Sequence, residues 1–453
     1  DLVKEYLVLK QAFDKKRMPL LLPDGWYNNF MQMFFLHKAF VDYTEKFMGQ
    51  ASFWETFWEE EPKDTSLMGI YGYLLNDIII LFEKFREQAI NRLEKIYQQS
   101  PEHKEIATAY ARGLFNQTVG RPLEKRTESV GKLRSLYEQY PNEKEIALAY
   151  AKGLVNQSAM QPLEKRTENA EKLRNLYEQY ENEKEMAQAY AQGLVNQIAR
   201  QSSEEMTESV EKLRSLYEQY PNEKEMAQAY AQGLVNQTAG QTLEEMTVSV
   251  ERLRSLHEQY GNEKEIALAY AQGLVNQSAE QPLGKRGESV EKLRSLREQY
   301  QDEKEVTLEY AKGLFNQTVG QPLEGVTVSV EKLRSLHEQY KNQKEIALEY
   351  AKSLVNLSFA QTVETDVKDT LQQTQKLLTL YSREIEMQVL YAQAYFNLTL
   401  VQKADSLFRT VEKLREFLLQ HPGANQEFQM KLDAYLVEHP DQEMRYQLLR
   451  CSG

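Results

Sequence analysis

The chain has 453 residues, a formal net charge of −13 and a single cysteine, Cys451. An acidic chain lacks the clustered Lys and Arg that nucleic-acid binding needs, and one cysteine excludes an internal disulfide framework. No apolar run reaches the roughly 18–20 residues of a membrane-spanning helix. No signal-peptide pattern is visible, although the chain opens at Asp1 without a methionine. We therefore expect a cytoplasmic protein that binds neither nucleic acid nor membrane.

Residues 1–66 are rich in aromatic side chains and hold all three tryptophans, Trp26, Trp54 and Trp58. Prolines and glycines interrupt this segment, so we predict two or three short helices that form an aromatic-rich N-terminal cap. The same aromatic residues could instead dock a partner, because Trp and Tyr anchor many protein interfaces. An acidic run at 59–61 is the only hint of acid–base chemistry. Adjacent carboxylates on a helix point in different directions, so a solvated helix face is the ordinary explanation.

A repeat of 40 residues dominates the rest of the chain. The phrase Lys-Leu-Arg-Ser-Leu-Tyr-Glu-Gln-Tyr at 132–140 returns almost unchanged up to 332–340. A fixed period of this size is typical of solenoids, in which each unit contacts only its neighbours. We assign eight repeats to 102–422, a degenerate first repeat to 67–101, and one or two capping helices to 423–453.

Two helical patterns fill each unit. The first is Ala- and Leu-rich, as at 145–157, and the second carries apolar residues at helical spacing, as at 127–140. We place the N-cap of this second helix at Thr127. The polar stretch between the two patterns, as at 158–166, is interpreted as a loop.

The small and apolar positions of the unit resemble those of the tetratricopeptide repeat family. The residues that carry this resemblance in the first full repeat are Ala111, Ser129, Leu133, Leu136 and Pro141. Family repeats are about 34 residues long, and we assign the extra residues to a longer loop between the helices. The resemblance implies an all-α, right-handed α-solenoid of helix-turn-helix repeats whose first helices line a concave groove.

An asparagine stands five residues after the small alanine of every first helix. These residues are Asn116, Asn156, Asn196, Asn236, Asn276, Asn316, Asn356 and Asn397. If they face the groove, their amides can pair with the backbone of an extended peptide whatever its sequence. An Asn that ties adjacent helix ends together, or one kept only because the repeats duplicated recently, would give the same pattern. Most of them also form N-x-[ST], a glycan-acceptor motif that we do not expect to be used inside a groove.

A second column follows the small alanine directly and is also predicted to line the groove. Its members are Arg112, Lys152, Gln192, Gln232, Gln272, Lys312 and Lys352. The central repeats are thus uncharged at this position and the outer ones basic, which would suit a partner with acidic ends and a polar middle. Random drift on a solvated helix face would give the same distribution.

The chain shows no motif of an active site. It has no Gly-rich phosphate loop and no His-Glu-x-x-His, and His257 and His337 are 80 residues apart without a third ligand at metal spacing. We predict no cofactor, no metal and no enzyme activity. The predicted function is that of a scaffold that binds a partner protein or extended peptide in the concave groove. Two alternatives are a regulatory or sensor subunit of a partner effector enzyme, as in bacterial defence or signalling, and an enzyme with its site in 1–66.

Overall fold

The structure is a computed structural model that describes residues 83–180, 183–198 and 201–439, together with residues 48, 72, 75, 76 and 78–80. The predicted aromatic N-terminal cap and the segment after 439 lie outside the described residues. All regular structure in the described ranges is helical, and a 3-10 turn at Glu83–Phe85 leads into the first long helix. The helices are α1 (Arg86–Gln99), α2 (Lys104–Thr118), α3 (Leu123–Gln139), α4 (Lys144–Ser158), α5 (Leu163–Gln179), α6 (Lys184–Ile198), α7 (Ser203–Gln219), α8 (Lys224–Thr238), α9 (Leu243–Gln259), α10 (Lys264–Glu280), α11 (Leu283–Gln299), α12 (Lys304–Thr318), α13 (Leu323–Gln339), α14 (Lys344–Ala360), α15 (Glu364–Leu380), α16 (Ile385–Val401), α17 (Ala404–Gln420) and α18 (Pro422–Glu438).

These helices form the predicted repeats of helical hairpins. The even-numbered helices α2 to α16 are the first helices of successive repeats, and the odd-numbered helices α3 to α17 are the second. The all-α solenoid is therefore confirmed as the fold class. The chain divides into two compact units, one ending at Gln197 and the other beginning at Ile198.

The predicted long loop between the two helices of a repeat is wrong, because most of its residues are helical. Helix α3 begins at Leu123, with Pro122 as its N-cap, so only residues 119–122 separate it from α2. Thr127, our predicted N-cap, lies inside α3 and donates its hydroxyl to the carbonyl of Leu123 at 2.9 Å. The longer period is thus taken up by longer helices, with α2 at 15 residues and α3 at 17.

The true start of the second helix has its own capping signal. Ser202 and Glu205 form a capping box at the start of α7, and Thr242 and Glu245 form another at α9. A capping box satisfies two backbone N–H groups that a helix start otherwise leaves unpaired. At the start of α3 the position equivalent to Ser202 and Thr242 is occupied by Pro122, whose φ of −58° suits a helix start.

The small and apolar positions that carry the family resemblance form the core. Ala111, Ser129, Leu133 and Leu136 are all buried, and each fully buried leucine contributes about 1.5–3 kcal/mol. Gly153 marks a close approach of one repeat to the next, because a Cβ there would lie 2.9 Å from the Leu133 Cδ1 atom. A small residue at this point lets α4 pack directly against α3.

The first helices pack closely against one another within each unit, as α2 does against α4 and α10 against α12. The second helices are bridged by long side chains, for example by Lys292 and Glu251 at 3.8 Å. We call these two sides the first-helix layer and the second-helix layer. Within a unit, the first-helix layer is therefore the more closely packed of the two. The concave groove that the family resemblance implies stays a prediction. None of the helices in the described ranges has the length and apolar character that would let it cross a lipid bilayer.

Candidate interaction site on the first-helix layer

The asparagine column forms hydrogen bonds between successive repeats. The Asn156 side-chain nitrogen donates to the Thr118 hydroxyl at 2.8 Å, and Asn276 donates to Thr238 at the same distance. The same bond to the hydroxyl 38 or 39 residues earlier is made by Asn316, Asn356 and Asn397. Asn196 donates instead to a carbonyl oxygen, that of Val155, at 3.1 Å.

The accepting hydroxyl groups explain the N-x-[ST] pattern. Thr118 and Thr238 are fully buried, and each donates its own proton to the carbonyl three residues earlier. The hydroxyl of one repeat is thereby satisfied as donor and as acceptor, which a buried polar group needs. The Ser or Thr of most N-x-[ST] motifs therefore serves as the hydrogen-bond acceptor for the asparagine of the next repeat. Ile198 stands where this hydroxyl would be for Asn236, and so provides no acceptor.

These bonds fit the interpretation in which the asparagines tie adjacent repeats together. The asparagine N–H groups that could donate to the carbonyls of a bound peptide are used in these bonds. The amide oxygens remain as acceptors. The asparagines are half-buried, except Asn397, which is buried. Direct contact between these residues and a ligand stays a prediction.

The column that follows the small alanine varies in its surroundings. Arg112 forms an ion pair with Glu145 at 2.8 Å, and Lys152, Gln192 and Gln232 are exposed. Lys312 and Lys352 instead pair with buried glutamates, Glu309 at 2.8 Å and Glu349 at 2.9 Å, and Gln272 is half-buried. Burial raises the pKa of Glu309, an effect that its bond to Lys312 opposes. Only part of this column is therefore free to contact a partner.

The first unit has an open cavity of about 340 Å³ on its first-helix layer. Three predicted residues, Arg112, Asn116 and Lys152, lie around it. The cavity also has apolar walls, and the residues that supply them are Ile80, Phe115, Leu148 and Ala149. A volume of this size admits one or two apolar side chains.

Asn76 adds an unsatisfied acceptor to this cavity. Its side-chain nitrogen donates to the carbonyl of Ala109 at 2.7 Å, but its buried Oδ1 has no hydrogen-bond partner among the described residues. A Cβ at Gly113 would lie 3.2 Å from this oxygen, so the glycine leaves space beside it. A buried acceptor without a donor costs about 1–3 kcal/mol, which a bound N–H group would recover.

The second unit has a smaller cavity, of about 300 Å³, on its own first-helix layer. It lies between α14, α16 and α18, and two residues of the asparagine column, Asn356 and Asn397, line it. Phe359 is 52% exposed at its edge and meets the ring of Tyr435 edge-on, with the ring centroids 6.2 Å apart. Exposed aromatic residues beside an apolar cavity are typical of binding anchors.

Several of these residues were missed by the sequence analysis. Asn76 and Ile80 belong to the degenerate repeat, where the 40-residue register is weak. Glu145 could have been found, because a glutamate recurs at this position in every regular first helix from Glu105 to Glu345. Phe359 could also have been found, since the equivalent residue in the other regular repeats is alanine or valine, as at Ala159 and Val319.

One position of the second helix varies from repeat to repeat and lies at the seam between repeats. Its residues are Tyr137, Tyr177, Tyr217, His257, Arg297 and His337. The Tyr217 hydroxyl donates to Gln259 of the next repeat at 2.7 Å, and its ring stacks on Tyr230 at 5.7 Å. His257 stacks in the same way on Tyr270 at 5.8 Å. Burial lowers the pKa of this histidine. In the described part of the chain no group of three His, Cys, Asp or Glu residues could hold a metal ion.

Comparisons with known proteins add little to this geometry. No protein-family model matches the chain, and no curated protein matches it. Among solved structures, the chain is similar to one described as the structure of Naa15/Naa10 bound to HypK-THB, over 97% of this chain and 81% of that chain, with 12% sequence identity and a TM-score of 0.25. A similarity of this size carries no argument about function. Function is therefore argued from the first-helix layer itself.

Proposed function

We propose that the chain is a non-enzymatic scaffold that binds an extended segment of a partner protein on its first-helix layer. The observation that carries this proposal is the cavity of the first unit, where Arg112 and Lys152 border the apolar walls formed by Phe115 and Leu148. A small apolar cavity with a few polar groups at its rim is the usual form of a binding site for a peptide side chain.

The chemistry of the rim describes the expected partner. An aliphatic or aromatic side chain would enter the cavity, and a backbone N–H of the partner would donate to the unsatisfied Oδ1 of Asn76. Arg112 is already neutralised by Glu145, whereas Lys152 is exposed and available to a carboxylate. The preferred ligand is thus an extended segment with one apolar anchor and an acidic residue close to it.

The alternatives differ in how much of the molecule supports them. A role as the regulatory subunit of an effector enzyme is a special case of this proposal, in which the partner is that enzyme. An enzyme site in 1–66 falls outside the described residues. A cytoplasmic location, finally, rests on the sequence pattern alone.

A peptide selection tests the proposal. Random peptides displayed on phage are selected on the full chain, and the affinity of the selected peptides is measured by calorimetry. Leu148→Glu should weaken binding at least about tenfold, because it places a charge in the apolar cavity. The matched control is Asn175→Glu, which adds the same charge at an exposed position of the second-helix layer. Equal affinity for both variants would contradict the proposal, as would failure to select any peptide.

A further inference from the structure

The second-helix layer carries an ion pair that recurs at four of its seams. The tenth residue of a second helix pairs with the ninth residue of the preceding second helix, as Lys132 does with Glu94 at 2.8 Å and Arg252 with Glu211 at 3.2 Å. Lys292 and Lys332 make the same pair at 3.8 and 3.7 Å.

Lys413 is the tenth residue of α17, and the ninth residue of α15 is Gln372. A neutral amide thus stands where a carboxylate neutralises the equivalent cation at the four seams that have this pair. In the described part of the chain, Lys413 therefore lacks this ion pair. The charge is exposed, so it is available to a ligand from solvent.

A cavity of about 780 Å³ opens at this same seam, between α15, α16 and α17. Its rim carries three cations, Lys368, Arg409 and Lys413, and none of its described lining residues is acidic. Lys368 is paired with Glu364 just outside the cavity, at 2.8 Å. Arg409 and Lys413 therefore supply most of the positive potential.

The cavity has apolar and aromatic walls. Leu371, Tyr391 and Leu398 belong to one buried core cluster, against which Tyr395 and Phe417 pack. All five of these residues line the cavity. An aliphatic or aromatic side chain would therefore bury apolar area here.

Gln402 supplies a polar group that points to a missing ligand. The residue is 6% exposed, and its side-chain nitrogen donates to Glu364 at 3.0 Å. Its Oε1 is buried and has no hydrogen-bond partner among the described residues, although Gln402 lines the cavity. A buried acceptor of this kind needs a donor, and a peptide N–H is one.

We propose that this cavity is a second docking site, which binds an acidic segment of a partner protein with an apolar side chain at its centre. Charge complementarity decides the occupant. Arg409 and Lys413 attract carboxylates, the walls formed by Tyr395 and Leu398 hold the apolar side chain, and Gln402 accepts a backbone N–H. A nucleic acid is the less suitable occupant, because the chain has a net charge of −13 and the rim offers only a few cations.

The test uses a short, blocked, fluorescein-labelled peptide in which Asp and Glu flank one central leucine, with binding followed by anisotropy on the full chain. We expect saturable binding that Lys413→Gln weakens about two- to fivefold, since one exposed ion pair is lost. The matched control is Lys332→Gln, which removes the same charge from the same helix position at a seam that has an ordinary ion pair. This control should bind like the parent chain.

Gln372→Glu is the decisive variant, because it introduces the carboxylate found at the four ion-paired seams. It should weaken peptide binding on the order of tenfold, since the new charge neutralises Lys413 and repels the ligand. The melting temperature should be unchanged or higher, which excludes unfolding as the cause. Leu148→Glu on the first-helix layer should leave this binding intact, so the two docking sites can fail independently.

Three outcomes would overturn the inference. One is the absence of saturable binding. Another is equal affinity for a peptide in which every Asp and Glu is replaced by Asn and Gln. The third is tighter binding of a single-stranded oligothymidylate that competes at the same site, which would assign the cavity to nucleic acid.

Discussion

The Asn276 side chain donates to the hydroxyl of Thr238, 38 residues earlier in the chain, at 2.8 Å. Thr238 donates in turn to the carbonyl of Val235 at 2.6 Å. This short relay joins two repeats through polar groups at the edge of an otherwise apolar interface. The same bond recurs along the asparagine column, which therefore has a structural role.

The relay predicts different effects for two equivalent asparagines. Asn276→Ala should lower the free energy of unfolding by about 0.5–1.5 kcal/mol, because a hydrogen bond to a buried hydroxyl is lost. Asn236→Ala should cost less, because Ile198 offers no hydroxyl at the matching position. Urea denaturation followed by circular dichroism measures both. Equal destabilisation by the two substitutions would show that the relay contributes nothing.

Close packing of the first helices predicts a size limit at the small alanine. Ala151 is 1% exposed, so Ala151→Leu should destabilise the chain by about 1–3 kcal/mol through overpacking. The neighbouring substitution Lys152→Leu places the same side chain at an exposed position and should change stability by about 0.5 kcal/mol or less. Because repeats contact only their neighbours, hydrogen exchange should show the loss of protection mainly around α4. Unchanged protection in α4 would contradict this packing.

Two histidines, His257, which is buried, and His337, which is half-buried, predict a dependence of stability on pH. Burial lowers the pKa of His257 and of His337 below the ordinary value of 6.5. In the unfolded chain the pKa of these histidines is near 6.5, and above that pH their neutral form stabilises the fold fully. The stabilisation is lost as the pH falls below 6.5, because the unfolded state then binds more protons than the folded state. The melting temperature should therefore fall more between pH 7.5 and pH 5 in the parent chain than in a variant without these histidines.

A suitable variant is His257→Tyr combined with His337→Tyr. Tyrosine occupies the same column at Tyr217, where it stacks on Tyr230 and donates to Gln259, so the substitution preserves the seam. Glu309, whose pKa is raised by burial, stabilises the fold in the opposite sense, since protonation favours its folded form. The comparison cancels this effect because the glutamate is present in both proteins. An identical fall in melting temperature for both would show that the histidines do not carry the pH dependence.

The sequence predicted the repeats well, because their cause is local. Spacing within a helix decides which residues are buried, and Leu133, Leu136 and Ala111 all lie in the core as expected. The predicted start of the second helix lies too late in the chain, because Thr127 matches the pattern of an N-cap while Pro122 falls in the stretch equivalent to the loop predicted at 158–166. The capping boxes at Ser202 and Thr242 were the better guide, and only two repeats carry them.

The candidate sites were predicted only in part, because they depend on relations between repeats. Arg112, Asn116 and Lys152 do line one cavity, but the acceptor there belongs to Asn76, outside the regular register. The bond between Asn276 and Thr238 joins different repeats, so comparing equivalent positions one column at a time could not find it. At the cavity between α15, α16 and α17, the meaning of Gln372 appears only beside the ion pairs of the four seams that have them.

The most direct test of the central proposal is to map the position of a bound peptide on the chain by photo-crosslinking. A photoreactive benzophenone side chain is placed at position 152 on the first-helix layer or at position 175 on the second-helix layer, and a peptide selected on the full chain is added under light. Mass spectrometry should find the peptide linked at position 152 and not at position 175, because the first-helix layer is the proposed binding face. Linkage at position 175 alone, or at both positions with equal yield, would contradict the account.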